Sequence, residues 1–463
     1  MSLSDLHQFI TLLDSRDELI RISVATDPIL EIAAITNRAC KQSGGGRALL
    51  FENPGSARFP VATNLFGSIS RTALALGIEK LDVLTSRMDA LLSQIHVPEL
   101  TKLDVQIGTL AEFSRFFPQQ QSACWNDAMQ QPDLTVFPFL HSWPSDGGAS
   151  GYPRYITLPQ VYTAAPDGSV PNCGMYRAQV LGPRKLAIRW KTGSGAARHL
   201  AVFQHVGKAM PVALALGGAP ACLFSALLPL PGDLDEMTFA GFLCGNSIGM
   251  APCRTQPLQV PSRAEIVIEG FVNPTETVLE GPFGNHTGYY SPSSQAAVMH
   301  VTAISHRPDA FVPATVVGPP PMEDCWMAKA WECLLLSFLK ALIPSISGLH
   351  FPLEWIFHQS AIISLGKPQT GMVREIAGLL WDMPWFKNAS LLIFVSAEVD
   401  PADLSGVAWH AINLSGLAQD VFHDISTKRL ALDATSCNSS RLALSGDPAV
   451  NLLVQRRWQE YGI

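Results

Sequence analysis

Two short stretches gather side chains able to hold charge or move a proton. The first, Glu280-Gly281-Pro282-Phe283-Gly284-Asn285-His286-Thr287-Gly288-Tyr289-Tyr290, sets a carboxylate, an amide, an imidazole and two phenols among three glycines. Glycines at such spacing let the backbone take positive φ or come close to a ligand, although Gly, Pro and Asn are equally the residues of an ordinary surface turn. The second, Pro171-Asn172-Cys173-Gly174-Met175-Tyr176-Arg177, enters a β-like run ending at Arg189-Trp190. In one continuous strand, Asn172, Gly174 and Tyr176 would share a face and Arg177 would take the other. A guanidinium facing a carboxylate forms a bidentate pair that can also grip an anionic group, and an imidazole exchanges protons near neutrality. By itself Arg177 reads equally as half of a structural ion pair.

The elements that must carry these stretches follow from periodicity. Leu6, Phe9, Ile10 and Leu13 repeat at helical spacing behind a capping Ser4 or Ser2, and a strand is expected at 19–24. A helix at 28–41 ending in Gly44-Gly45-Gly46, strands near 49–52 and 61–65, and helices near 70–76 and 81–92 complete an α/β domain over residues 1–120. From 156 to 317, short β-branched and aromatic runs separated by Gly, Pro and Asn point to a barrel, so the second domain is placed at 121–317. Residues 235–244 read as an inserted helix with Glu236 near its N-terminal end. After Gly318-Pro319-Pro320-Pro321, helical runs at 322–342, 371–380 and 401–414 alternate with strand-like 360–365 and 390–396, a doubly wound α/β pattern for a third domain at 318–463. It contains no G-x-G-x-x-G fingerprint, so no nicotinamide site is expected.

Composition narrows the function further. A length of 463 residues suits about three domains. A net charge of −7 without any Lys/Arg run argues against nucleic-acid binding, which needs clustered cations. The nine cysteines are scattered without a C-x-x-C pair, which fits reduced thiols in a cytoplasmic protein rather than a disulfide framework or zinc site. No secretory signal is read at Met1-Ser2-Leu3-Ser4. The uncharged run 209–231 is long enough to cross a bilayer, but Pro211, Gly217, Gly218, Pro220, Pro229 and Pro231 break it, and 212–216 reads as a buried strand.

Taken with Phe137 to Gly148 (FPFLHSWPSDGG), Ile156-Thr157-Leu158-Pro159, Asp235-Glu236 with Phe239-Ala240-Gly241, Gly318 to Asp324 (GPPPMED) and Asp433-Ala434-Thr435, the two stretches resemble the UbiD family of decarboxylases over nearly the whole chain. The resemblance implies a central split β-barrel of the flavin-reductase type and a homodimer or larger homo-oligomer. It implies prenylated FMN with Mn²⁺ or Mg²⁺ and K⁺, and a small aromatic or α,β-unsaturated carboxylic acid as substrate, with wording such as Pro352-Leu353-Glu354 and Phe357-His358 closest to the quinone-precursor branch. Carried over by motif, Arg177 and Glu280 are catalytic, and Asn172 and Glu236 are metal ligands. Met175, Tyr176, Arg177, Arg189, Trp190 and Lys191 line the flavin, Ser194 and Gly195 lie at its phosphate end, and Lys367 falls in a lysine segment. An apolar pocket near Trp326, Trp331 and Phe338 would suit a substrate ring.

The chain departs from the family pattern at named positions. The second acid falls on Asn285, a metal-ligand histidine on Gly193, a lysine on Ser194, a second lysine on Gly366 and an aspartate on Ala219. An amide cannot donate a proton at neutral pH. Two readings follow: an active enzyme in which His286 supplies the proton and Lys191 or a displaced metal neutralises phosphate, or a catalytically degenerate homologue that binds or scaffolds, with an active UbiD-like subunit as its partner.

Overall fold

The structure, a computed structural model, describes residues 3–95, 107, 111–148, 150–228, 230, 234–414, 421–424, 427–435, 444 and 446–462. The first helix, Leu6–Ser15, buries Leu6, Phe9, Ile10 and Leu13 as its periodicity dictates, but its cap is Asp5, whose carboxylate accepts from the Gln8 amide, rather than either serine. Next come strands Leu19–Ile22, Ala48–Phe51 and Val61–Thr63 with helices Glu31–Cys40, Ile69–Ala75 and Asp82–Leu92. These strands form a four-stranded sheet whose last member, Val312–Pro313, returns from far along the chain to pair in parallel with Val61–Thr63.

The centre of the molecule is a nine-stranded sheet that curls into a half-barrel. Its order is Tyr155–Ile156, Ala178–Val180, Lys185–Ile188, Ser294–His306, Ala264–Glu280, Met210–Gly217, Gln160–Ala164 and Pro171–Met175, with Asp127–Ala128 added on Ser294–His306. The two longest strands, of 17 and 13 residues, are antiparallel partners whose register shifts at Glu269/Gly270 and at Val272/Thr277. Such bulges bend and twist a ladder, which is how a sheet closes on its own apolar face. Ile266, Ile268, Val272, Met299, Val301 and Ile304 fill that face. The run from Pro171 to Trp190 is three strands rather than one: Pro171–Met175 pairs with Gln160–Ala164 at one end of the sheet, while Ala178–Val180 and Lys185–Ile188 pair as a hairpin toward the other, turned at Gly182-Pro183. Helices Gly195–His205 and Glu236–Cys244 pack near its edge strands, the second capped by the Asp235 carboxylate on the Thr238 amide.

The C-terminal part is a five-stranded sheet, ordered Ile346–His350, Ser360–Leu365, Leu391–Ser396, Arg429–Ala434 and Val421–Asp424. Its three central strands are parallel and its two edges antiparallel, with helices Glu323–Leu342, Met372–Asp382 and Leu404–Leu414 around it. One apolar cluster runs from Leu6 through Phe239 and Phe338 to Ala431, so the three parts share a core. Trp331 and Phe338 are buried in it, packed on Trp385. None of the eight described cysteines is in a disulfide; Cys437 lies outside the described residues. Among the described residues no helix is long and apolar enough to cross a membrane.

The first helix is tied to the half-barrel by charge as well as by packing. His7 Nε2 lies 2.9 Å from Glu265 Oε2, and the Glu265 side chain is 0% exposed. Burial pushes the Glu265 carboxyl up; burial alone would lower His7, but the Glu265 hydrogen bond and charge outweigh it and raise His7 above its ordinary value. A raised folded value contributes stability that is complete below the unfolded histidine value, near 6.5, and is lost as pH rises through the folded one. Denaturant titrations of the parent should therefore show stability falling with pH above about 6.5. In Glu265→Gln that slope should flatten, and an unchanged slope would place the titration elsewhere.

Candidate active site

Glu280 is the last residue of the longest strand, so the site stretch is the hairpin connection to the next strand, opposite Ser294. Its carboxylate is 1% exposed and meets Arg177 in a two-pronged pair, Nε to Oε1 at 2.9 Å and Nη2 to Oε2 at 3.2 Å. Arg189 approaches the same carboxylate at 4.0 Å. The Arg177 guanidinium also lies over the Phe283 ring, 4.5 Å from its centroid, and Phe283 packs on Tyr155. A buried carboxylate needs such compensation, and a planar guanidinium supplies it with fixed orientation.

The turn is held by a stretch that sequence reasoning matched only as a family segment. Asp146 accepts from the Gly284 amide at 2.8 Å and from the Trp143 amide at 2.9 Å. Gly147 donates its backbone N–H to Pro282, and Gln179 accepts from the Gly281 amide. The Trp143 indole donates to the Val317 carbonyl and lies flat against two glycines: a β-carbon on Gly284 would stand 2.3 Å from Trp143 Cδ1, and one on Gly318 2.8 Å from Cζ2. Tryptophan between glycines in three separated motifs was the available signal for this contact, but sequence alone gives no pairing.

Asn285 is occupied locally. Its Oδ1 accepts from the Thr287 amide at 2.8 Å and from the Thr287 hydroxyl, and its Nδ2 donates to Ser291 Oγ at 2.8 Å. It is therefore an Asx turn closing the short hairpin of Phe283–Gly284 with Tyr290–Ser291. His286 turns both ring nitrogens toward the C-terminal part: Nε2 is 3.2 Å from His358 Nε2 and Nδ1 is 3.7 Å from Asp324 Oδ2.

The residues expected to hold cofactor and metal lie at the edge strand Pro171–Met175 and the start of helix Gly195–His205. Asn172 Oδ1 packs so tightly on Gly195 that a β-carbon there would come within 1.7 Å, while Asn172 Nδ2 points to Thr163 at 3.4 Å. Glu236 accepts from the Cys173 amide at 2.9 Å, and burial raises its carboxyl to about 8. One amide oxygen and one carboxylate fit a hard cation that keeps most of its waters. Among the described residues no group of three or more His, Cys, Asp or Glu gathers as a metal site. Gly193 has open space beside it but sits at φ +80°, so a histidine there would be strained.

Tyr176 folds back over Gly174 and meets Trp190 edge to face at 5.2 Å; burial raises its phenol, offset by the Ser194 hydroxyl and the Ala196 amide. Ser194 caps the helix through the Ala197 amide. The Trp190 indole N–H is buried without a partner, as a donor reserved for a bound flat heterocycle would be. Met175 is half-buried at its strand end. Lys191 is exposed, its ammonium pushed down by partial desolvation and then by the Lys387 charge, and Lys367 is exposed at φ +51° just past strand Ser360–Leu365.

Solved structures that share this fold include decarboxylases. The closed form of vanillic acid decarboxylase from Sedimentibacter hydroxybenzoicus superposes with a TM-score of 0.85 at 22% identity, covering 100% of this chain and 99% of that one. The evolved dimeric form of the UbiD-class enzyme HmfF from Pelotomaculum thermopropionicum, in complex with prFMN, gives 0.80 at 24% identity, covering 97% and 98%. At these identities the likeness is one of fold. Sequence carries it further. The N-terminal, Rift-related and C-terminal domain signatures of 3-octaprenyl-4-hydroxybenzoate carboxy-lyase match residues 10–91, 117–320 and 325–445. An uncharacterized protein of Archaeoglobus fulgidus is 36% identical over 424 residues, 91% of this chain and 86% of that protein. One of Aquifex aeolicus is 34% identical over 469 residues, 99% and 93%. The chain belongs to the UbiD family.

Two substitutions test the geometry. Gly284→Ala should destabilise the protein by about 1–3 kcal/mol, because the Trp143 ring must shift; an unfolding midpoint equal to the parent's would refute that contact. Gly195→Ala should displace the Asn172 amide, which a β-carbon there would approach to 1.7 Å, and lower the unfolding midpoint with the fold kept by far-UV circular dichroism; a midpoint equal to the parent's would refute that close approach.

Proposed function

We propose that this protein is a non-oxidative decarboxylase of an aromatic or α,β-unsaturated carboxylic acid, a quinone precursor among the candidates. The observation that carries the reading is the two-pronged Arg177–Glu280 pair, buried at the end of the longest strand and backed by Phe283. Prenylated FMN, when bound, supplies the electron sink that no side chain offers. Around it, Met175, Tyr176, Arg189, Trp190 and Lys191 would line the flavin, and Ser194, Gly195 and Lys367 its phosphate end. Asn172 and Glu236 would hold Mn²⁺ or Mg²⁺, with K⁺ nearby as in the family. Arg177 orients the substrate carboxylate and keeps Glu280 in place, and His286 supplies the proton that Asn285 lacks.

The three domains are taken as 1–120, 121–317 and 318–463, in a cytoplasmic protein acting as a homodimer or larger homo-oligomer. Helix Pro448–Arg456, with no buried residue and with Val450, Leu452 and Leu453 exposed, supports association between copies. A second reading, a degenerate homologue that partners an active UbiD-like subunit, draws on the Asx turn that uses up the Asn285 amide.

Co-expression with a flavin prenyltransferase separates the two. The decarboxylase reading expects a coloured protein that retains Mn²⁺ and releases CO₂ from members of a panel of aromatic and acrylic acids. A colourless, metal-free protein that releases none would leave the degenerate reading standing. In the loaded enzyme Arg177→Lys should lower kcat/KM by ~10²-fold or more, since a point charge cannot keep both prongs.

A further inference from the structure

His286 and His358 bring two imidazoles together where the hairpin loop meets the C-terminal part of the chain. Their Nε2 atoms are 3.2 Å apart and their ring planes cross at 81°. Rings joined end to end by a straight N–H···N bond have centroids about 2 Å further apart than the bonded nitrogens, because each centroid lies a ring radius behind its nitrogen. Here the centroids, at 4.4 Å, stand only 1.2 Å further apart than the nitrogens at 3.2 Å. At least one ring is therefore aimed off the line between the nitrogens, toward a point that a third atom can occupy. Two nitrogens bound to one ion at about 2.0–2.1 Å, at angles from a right angle to the tetrahedral one, are about 2.9–3.4 Å apart. That range contains the spacing found.

The surroundings fit an ion as well. His286 turns its other nitrogen, Nδ1, to Asp324 Oδ2 at 3.7 Å, in the first turn of helix Glu323–Leu342, and a carboxylate behind an imidazole is the common support of a metal-bound histidine. Phe357 lies against both rings, 5.9 Å from the His286 centroid and 5.3 Å from that of His358. Of the charges that reach His358, that of Asp324 favours a cation, while Lys191 and a protonated His286 oppose one. Lys191 is exposed, where water and salt screen it, and a bound ion takes the place of the His286 Nε2 proton.

We propose that His286 and His358 form a binding site for one divalent transition-metal ion of the zinc type, each ligating through Nε2, with Asp324 as the positioning residue for His286. Imidazole selects such ions over Mg²⁺ and Ca²⁺, so the site takes a different class of ion from Asn172 and Glu236, whose oxygens suit a hard cation. Two protein ligands leave the other positions to water or to a carboxylate oxygen, which makes the site open and its ion exchangeable. The ion ties the half-barrel loop to the C-terminal part. It also occupies the nitrogen from which His286 would give a proton, so ion binding and proton donation exclude each other; that consequence alone rests on the decarboxylase reading above.

The test uses the full chain without flavin, stripped by chelator, kept reduced and supplied with excess Mg²⁺ to fill the oxygen site. Calorimetric titration with Zn²⁺ should give one ion per chain. His286→Gln and His358→Gln should each weaken that binding by at least ~10-fold and Asp324→Asn by ~10-fold. Zn²⁺ should raise the unfolding midpoint of the parent and leave that of His358→Gln where it stands in chelator. In a crystal soaked with Zn²⁺ the anomalous signal should lie about 2.0–2.1 Å from both Nε2 atoms. Unchanged Zn²⁺ affinity in both histidine variants, or an ion seated on a cysteine sulfur or on Asn172 and Glu236 instead, overturns the proposal. In the flavin-loaded enzyme Zn²⁺ should lower kcat; if no acid is turned over at all, the decarboxylase reading falls on its own and the binding result stands.

Discussion

Everything around the site depends on one buried carboxylate. Glu280, at 1% exposure, ends a strand of 17 residues, and a charge so placed persists only if something equally rigid answers it. Arg177 does, from the connection between two short strands of the same sheet, with its guanidinium face against Phe283. The bulged pairing of the two long strands sets where the strand stops, and Asp146, Gln179 and Trp143 set how the chain leaves it. The half-barrel thus serves as a mount for one ion pair and the loop that follows it.

Much of this was legible in the sequence, and for physical reasons. The two motif stretches, the helix behind Asp235 and the C-terminal alternation of strands and helices carry their own local signals: glycine spacing, a capping carboxylate, a change of period. What stayed hidden depends on partners distant in the chain. The helix Gly195–His205 opens with Gly-Ala-Ala after a glycine-containing loop and announces itself weakly. The separation of Pro171–Met175 from the Ala178–Val180 and Lys185–Ile188 hairpin requires strand Ser294–His306 as a partner for Lys185–Ile188, and no local pattern names it. Asp5 rather than serine caps the first helix because the carboxylate sits at the residue just before it. Trp331 and Phe338 looked like a ring-binding wall because an apolar helix face reads the same whether it lines a pocket or meets Trp385.

The site itself divides in the same way. Arg177 and Glu280 are 103 residues apart, and their pairing was reached through family motif. The role of Asn285 as a turn-former, satisfied by Thr287 and Ser291 within six residues, was in principle local, since Asn followed two residues on by a β-hydroxyl is an Asx-turn signature. His358 and Asp324 could not be paired with His286 from sequence, because they come from different elements folded onto the loop from beyond residue 320.

One feature of the first sheet bears on how the protein is made. Its fourth strand, Val312–Pro313, emerges from the ribosome some 250 residues after the strand it pairs with, Val61–Thr63. Until then that strand presents an unpaired edge of buried, apolar residues, Val61 and Ala62 among them. The N-terminal unit consequently cannot finish folding as an independent module during synthesis. It waits, half-assembled, for the whole half-barrel to appear, so its closure reports that the chain through Pro313 has been delivered.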